Sequence, residues 1–304
     1  MAENQIHEPV MPQLAMHFLS VRTAQTAIDA TVGFGGHAAR ILADTADLRL
    51  LGIDRDSEAL EQAGQRLKKY GDRVVLRQGR FSDMAKIAEE EGWNKVDAIL
   101  FDLGVSSLQV DKAARGFSYM HDGPLDMRMD RRQPLTAAQI LNKWSEEALA
   151  RMFRRYGEEK KAVKVAKAVV ERRREKAWSR TKEFAALVES VVGRTPRGRL
   201  PAPARCFQAL RIVVNNELEE LEKGLNGAAK LLNRRGRLVV IAFHSLEDRI
   251  VKQAFRYAAQ TCICPPDFPE CRCDKQATLR ILTKKPCVPD DDERARNRRS
   301  GSAK

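Results

Sequence analysis

Between Asp29 and His37 the chain reads Asp-Ala-Thr-Val-Gly-Phe-Gly-Gly-His, three glycines in four positions framed by an acid and an imidazole. Thr26-Ala27-Ile28 before it has the character of a short buried strand, and Ala38 to Leu42 after it opens a helix. Glycine takes φ > 0 and lets a ligand approach the backbone, and a helix start leaves N–H groups without intrahelical partners. Strand, glycine turn, helix is how open α/β sheets cradle a ligand; a plain tight turn would account for two of the glycines. Asp54 ends the next apolar run, 21 positions after Gly33, close to the spacing at which a second-strand carboxylate accepts ribose hydroxyls. Its simpler role is to end a strand before a helix that Asp56, Ser57 and Glu58 can cap. Two further strands lead to Gly79-Arg80-Phe81 and to Asp102-Leu103-Gly104. Phe81 there is either an adenine-stacking ring or ordinary core. Gly33-x-Gly35-x-x-Ala38 also fits the dinucleotide fingerprint, so the cradle leaves a nicotinamide cofactor and S-adenosylmethionine (AdoMet) both open.

These residues need a scaffold, and alternation supplies one. Strands near 26–28, 48–54, 73–77, 96–104 and 236–243 alternate with helical runs, which is the signature of a doubly wound parallel sheet. The alternation fails from 109 to 202, where helical runs 136–144, 146–156, 160–174 and 182–192 follow a polar loop. The chain therefore reads as an α/β domain made of 1–108 and 203–304, with a helical insertion at 109–202. A long helix over 207–232, broken near Gly224 and Gly227, leads into the fifth strand. Ser245 is the expected N-cap of the helix after it, with Asp248 at the capping-box position. Ala277 to Thr283 alternates like an exposed strand.

A net charge of +13 favours a polyanionic partner. The insertion carries much of it, along Lys160, Lys161, Lys164 and Lys167, at Arg172 to Arg174, and in a loop holding Arg194, Arg197, Arg199 and Arg205. No run is apolar enough to span a bilayer and no signal peptide is visible, so the reading is cytoplasmic, without membrane contact. Six cysteines in such a protein argue against a disulfide scaffold. Cys262, Cys264, Cys271 and Cys273 form a C-x-C-x6-C-x-C pattern, either a tetrahedral zinc site or a reduced thiol-rich loop; Cys206 and Cys287 are isolated.

Ordered blocks along nearly the whole chain resemble the bacterial ribosomal RNA small subunit methyltransferase H family, the MraW family. They are His7-x-Pro9-Val10, DATVGFGGH (29–37), GIDRD (52–56), DLGVSSLQ (102–109), RGFSY (115–119), DGPLDMRMD (122–130), YGEE (156–159), RCFQALRIVVNNEL (205–218) and AFHSLEDRIVK (242–252). The resemblance implies a Rossmann-like class I AdoMet-dependent methyltransferase that methylates N4 of a cytidine in the decoding region of 16S rRNA. Its partner would be the small ribosomal subunit; the oligomeric state stays open, a homodimer among the options. It implies that Gly35, Gly36 and His37 hold the methionine end of AdoMet, Asp54 the ribose and Phe81 the adenosine, with Asp102 and Gln109 near the sulfonium. Asp126, Arg128 and His244 are the candidates for contacting the cytosine, against plainer roles as a loop-closing ion pair and a supporting histidine.

No metal is expected in the chemistry, since a sulfonium is already a good leaving group and positioning supplies most of the rate. The Asp/Asn/Ser-Pro-Pro-aromatic loop of many DNA amino-methylating enzymes is replaced by Asp102-Leu103-Gly104-Val105-Ser106-Ser107, so their mechanism does not carry over. The family's His-Pro-Ala-Thr-Arg appears here as Pro201-Ala202-Pro203-Ala204-Arg205, without the histidine. A nicotinamide oxidoreductase and a non-catalytic RNA-binding assembly factor are the alternatives.

Overall fold

The structure, a computed structural model, describes residues 8–193, 195–196, 200–265 and 270–304. His7, Arg194, Arg197 and Arg199 lie outside the described residues. In chain order the elements are α1 (Pro12–Leu19), β1 (Thr26–Asp29), α2 (Gly36–Ala43), β2 (Arg49–Asp54), α3 (Ser57–Leu67), β3 (Val74–Gln78), α4 (Met84–Glu90), β4 (Val96–Asp102) and α5 (Ser107–Asp111). There follow α6 (Ala137–Lys143), α7 (Glu146–Gly157), α8 (Ala162–Arg172), α9 (Thr181–Val192), α10 (Ala202–Asn215), α11 (Glu217–Leu231), β5 (Leu232–Ile241), α12 (Ser245–Ala259) and α13 (Asp291–Arg296). Two compact units divide the chain, Met1–Gly104 with Leu218–Lys304, and Val105–Glu217.

In the first unit all five strands are parallel, in the order β3-β2-β1-β4-β5. The inner strands are apolar almost throughout, as a sheet covered on both faces requires. Their two-residue period sorts the side chains between two cores. Ile28, Leu51, Ile53, Ile99 and Phe101 pack with Leu221 and Leu225 of α11. Ala27, Leu50, Ala98 and Leu100 pack with Ile41 of α2, Ala63 of α3 and Leu19 of α1. The strand order reverses between β1 and β4, where open α/β sheets leave a crevice beyond the carboxyl ends of their strands. Asp29, Asp54 and Asp102 are the last residues of β1, β2 and β4.

The second unit is helical; an isolated bridge between Pro124 and Arg180 is the extended pairing found among its described residues. Its core centres on Phe184, which stacks on Phe153 (6.0 Å) and Phe207 (5.6 Å) and meets Trp178 edge-on (5.9 Å). α10 packs on α7 and α9, so it belongs to this unit rather than to the sheet domain, and the unit runs from 105 to 217 instead of 109 to 202. The apolar stripe Cys206, Phe207, Leu210 is the reason: it completes the aromatic core.

Three local expectations change. The long helix is broken at Asn216, a left-handed residue (φ 52°), and Gly224 lies within α11 instead. The cap of α12 is His244, one residue earlier than Ser245, and Glu247 completes the capping box rather than Asp248. Ala277–Thr283 forms no strand: the Thr278 and Leu279 N–H groups both donate to the carbonyl of Ala258 at the end of α12, which takes them out of any ladder. Lys304 exchanges two backbone hydrogen bonds with Ala242, just past β5.

Candidate active site

The glycine turn is fixed by backbone strain that only glycine carries cheaply. Gly33 and Gly35 have φ of 50° and 74°, a region that costs other residues about 1–2 kcal/mol. Gly35 is the N-cap of α2 and has no side chain to satisfy the first N–H groups of the helix, which stay available to a ligand. Its N–H closes the turn on the Val32 carbonyl (2.7 Å). The Asp54 carboxylate ties the turn to β2: Oδ2 accepts from Gly33 N–H (2.9 Å) and Oδ1 from Asp56 N–H (2.9 Å). Each oxygen keeps a lone-pair direction for a ligand hydroxyl. Burial raises the Asp54 pKa above the ordinary carboxylate value, against the pull of those two N–H groups.

Next to it lies a buried acid–imidazole–acid cluster. His37, in the first turn of α2, is 5% exposed, and its Nε2 stands 3.5 Å from Asp102 Oδ2 in an electrostatic contact without hydrogen-bond alignment. Burial lowers the His37 pKa, but the proximity of Asp102 and the charge of Asp29 outweigh it, and the ring sits above its ordinary value. Asp29 is 1% exposed; Oδ1 accepts from Thr31 N–H (3.2 Å). Burial lifts its carboxyl from 3.8 to about 7, with His37 and the Thr31 N–H opposing and the charges of Asp102 and Asp54 adding to the rise. Asp29 Oδ2, Asp102 Oδ1 and both ring nitrogens of His37 are buried without a hydrogen-bond partner among the described residues. Native interiors leave few such atoms, and a cluster of them at a strand-end crevice is what a polar or cationic ligand would satisfy. The strand-end position of Asp29 is its sequence signal, one it shares with Asp54 and Asp102.

Phe81 is nearly buried. Its ring meets Phe101 edge-on (5.5 Å), the Arg55 guanidinium lies 5.4 Å from its centroid, and a Cβ on Gly224 would come within 2.7 Å of it. His244 follows β5, where its Nδ1 accepts from Glu247 N–H (3.3 Å), and Glu247 Oε2 accepts in turn from Phe243 N–H (2.8 Å) and His244 N–H (3.3 Å). That leaves Nε2 as the ring atom with a proton to give, and it stands 3.2 Å from Glu247 Oε1.

The other candidates fall in the second unit. Gln109 is buried and completes a capping box on α5, its Oε1 accepting from Ser106 N–H (3.1 Å). Arg128 and Asp126 form a two-pronged pair (Nε–Oδ1 2.7 Å, Nη2–Oδ2 2.9 Å), and Arg128 Nη1 donates to the carbonyls of Arg131 (3.0 Å) and Gln133 (2.8 Å). This is the geometry of a loop-closing pair. Two residues the sequence reading did not single out hold the same loop. Arg115, 1% exposed, donates to the carbonyls of Arg128 and Met129, and Asn215 accepts from Met129 N–H (2.8 Å) and donates to the Met127 carbonyl (2.8 Å). Gly116 allows this fold-back, since a Cβ there would lie 1.9 Å from the Pro124 carbonyl oxygen.

A model of the MraW methylase family matches residues 4–304. The chain belongs to this family. The ribosomal RNA small subunit methyltransferase H of Carboxydothermus hydrogenoformans is 46% identical over 98% of this chain and 96% of its own length. The proteins of the same name from Symbiobacterium thermophilum and Syntrophotalea carbinolica are each 48% identical over 98% of this chain, covering 94% and 95% of their own. The open N–H groups of the glycine turn, Asp54 and the unsatisfied Asp29–His37–Asp102 cluster are three separate polar features at one strand-end edge.

Proposed function

We propose that this methylase transfers the methyl group of AdoMet to the exocyclic N4 of a cytidine in the decoding region of 16S rRNA in the small ribosomal subunit. The carrying observation is the sign of the crevice. Asp29, Asp54 and Asp102 end three strands around the switch point, and burial, with the charges of Asp102 and Asp54 adding to it, lifts the first carboxyl to about 7. A pyrophosphate would add two negative charges beside these acids, whereas a sulfonium and an ammonium would relieve them. This supports AdoMet over the dinucleotide that the glycine fingerprint alone admits. The polyanionic acceptor is supported by the relatives' name and by the net charge of +13.

When bound, AdoMet supplies an electrophilic methyl group on a good leaving group. The chain's residues position it and its acceptor. The N–H groups of Gly36 and His37 suit a carboxylate at the head of α2, and Asp54 suits the ribose. Phe81, with Arg55 across its ring, contributes a wall to the adenosine side. Asp29 and Asp102 face the cationic end, where Thr31 Oγ1 fixes the backbone N–H of Asp102 (2.7 Å). His244, just past β5 and held by Glu247, is proposed as a contact to the acceptor base. Gln109, Asp126 and Arg128 are assigned to the reaction by resemblance alone. On the helical unit the exposed Lys160, Lys164, Lys167 and Arg174 are proposed as phosphate contacts. Arg173 is less available, since it donates to the carbonyls of Leu141 and Trp144, and Arg205 is engaged by Glu159.

Titration calorimetry with AdoMet and with NAD tests the cofactor assignment. AdoMet is expected to bind at least a hundredfold more tightly; equal affinity, or tighter NAD binding, would refute it.

A further inference from the structure

The cysteine loop after α12 takes no part in the site described above. Its four sulfurs, of Cys262, Cys264, Cys271 and Cys273, all lie within 4.8 Å of one another. Cys271 Sγ is 3.6 Å from Cys273 Sγ, and Cys273 Sγ is 3.8 Å from Cys262 Sγ. A zinc–thiolate bond of about 2.3 Å sets the edge of a ZnS4 tetrahedron at about 3.8 Å. Disulfides need sulfurs at about 2.05 Å, and all four thiols are free. An iron–sulfur cluster divides its four thiolates among two or four irons and spreads the sulfurs across the cluster; this grouping is too tight for that and suits a single ion.

The backbone around the sulfurs is arranged for thiolates. Ile263 N–H donates to Cys273 Sγ (3.3 Å), Cys264 N–H to Cys262 Sγ (3.4 Å) and Arg272 N–H to Cys264 Sγ (3.4 Å). Such donors orient ligand sulfurs and offset their charge. We propose that Cys262, Cys264, Cys271 and Cys273 bind one zinc ion as a closed structural site. Four protein ligands leave no open position, so the ion takes no part in methyl transfer. It clamps the chain where it leaves α12 and where it returns, next to Thr278 and Leu279, whose N–H groups dock on the Ala258 carbonyl (2.8 and 3.2 Å). Lys275 lies over the Tyr257 ring (4.9 Å) and extends the same return path onto α12.

The full chain, purified under reducing conditions without chelator from zinc-supplemented cells, is expected to carry one zinc per chain by mass spectrometry of the metals. The Cys264→Ser/Cys271→Ser double variant should hold less than a tenth of that, and Cys206→Ser/Cys287→Ser should retain it all. Because a loop variant can misfold, wild-type protein stripped of metal and titrated with cobalt provides a second reading. An intense thiolate-to-cobalt charge-transfer band that saturates at one equivalent and is displaced by zinc supports the site. Reduced wild-type protein that takes up neither metal overturns it, as does zinc that survives removal of the loop cysteines or is lost with the control pair.

Discussion

Replacing Asp29 by Asn separates the electrostatics of the crevice from its shape. Its carboxyl is lifted from 3.8 to about 7, so in the ligand-free protein it is mostly protonated at pH 6 and mostly ionised at pH 8. A cationic ligand favours the ionised form. If AdoMet bound only that form, its dissociation constant would fall roughly tenfold from pH 6 to pH 8, or about 1.4 kcal/mol, with up to about half a proton released at pH 7. His37, itself raised, titrates in the same direction, since loss of its proton also makes the crevice more negative. Asp29→Asn keeps the shape and leaves only the His37 contribution, so the pH slope should become shallower than in the wild type.

Stability moves the opposite way. A carboxyl whose folded-state pKa is raised has its full stability below the unfolded value and loses it as pH rises through the folded one. Ionising Asp29 in the fold therefore costs up to about 4 kcal/mol at pH 8. The ligand-free Asn variant should melt higher than wild type at pH 8, with the gap closing near pH 4. Calorimetry in two buffers of different ionisation enthalpy, beside thermal melts, reads both. A wild-type affinity flat in pH, or a slope unchanged in the variant, would refute the reasoning.

Gly35→Ala puts a side chain at φ 74° with its Cβ 3.1 Å from Leu67; a loss of about 1–2 kcal/mol of stability and weakened AdoMet binding are expected by melts and calorimetry. Asn215→Leu leaves Met129 N–H and the Met127 carbonyl unpaired inside the second unit, which should cost about 2–5 kcal/mol in urea unfolding. Charge reversal of Lys160, Lys164 and Lys167 together should weaken RNA binding at low salt and flatten its salt dependence by about two to three phosphate contacts; unchanged binding would place the RNA surface elsewhere.

The sheet was legible because parallel strands need long apolar runs and glycine turns, and those are local. Asp54 and Asp102 could be found as strand-end acids. Asp29 occupies the same kind of position, yet its significance lies in burial beside His37, and burial arises only once β1, β2 and β4 are side by side. The cap of α12 was misplaced because a histidine there accepts through Nδ1, a role that Ser245 resembled more closely from composition. The second unit was harder: α10 was assigned to the sheet domain because its apolar stripe does not reveal which core it completes. The Arg115 and Asn215 contacts join positions 13 to 88 residues apart, and local spacing carries no sign of them.

The central claim is tested most directly by incubating this protein and methyl-labelled AdoMet with small ribosomal subunits lacking the modification, then digesting the 16S rRNA to nucleosides. Label is expected in N4-methylcytidine at one position in the decoding region, and none when Asp54→Ala protein is used. Label in another nucleoside, or none with protein that binds AdoMet, would contradict it.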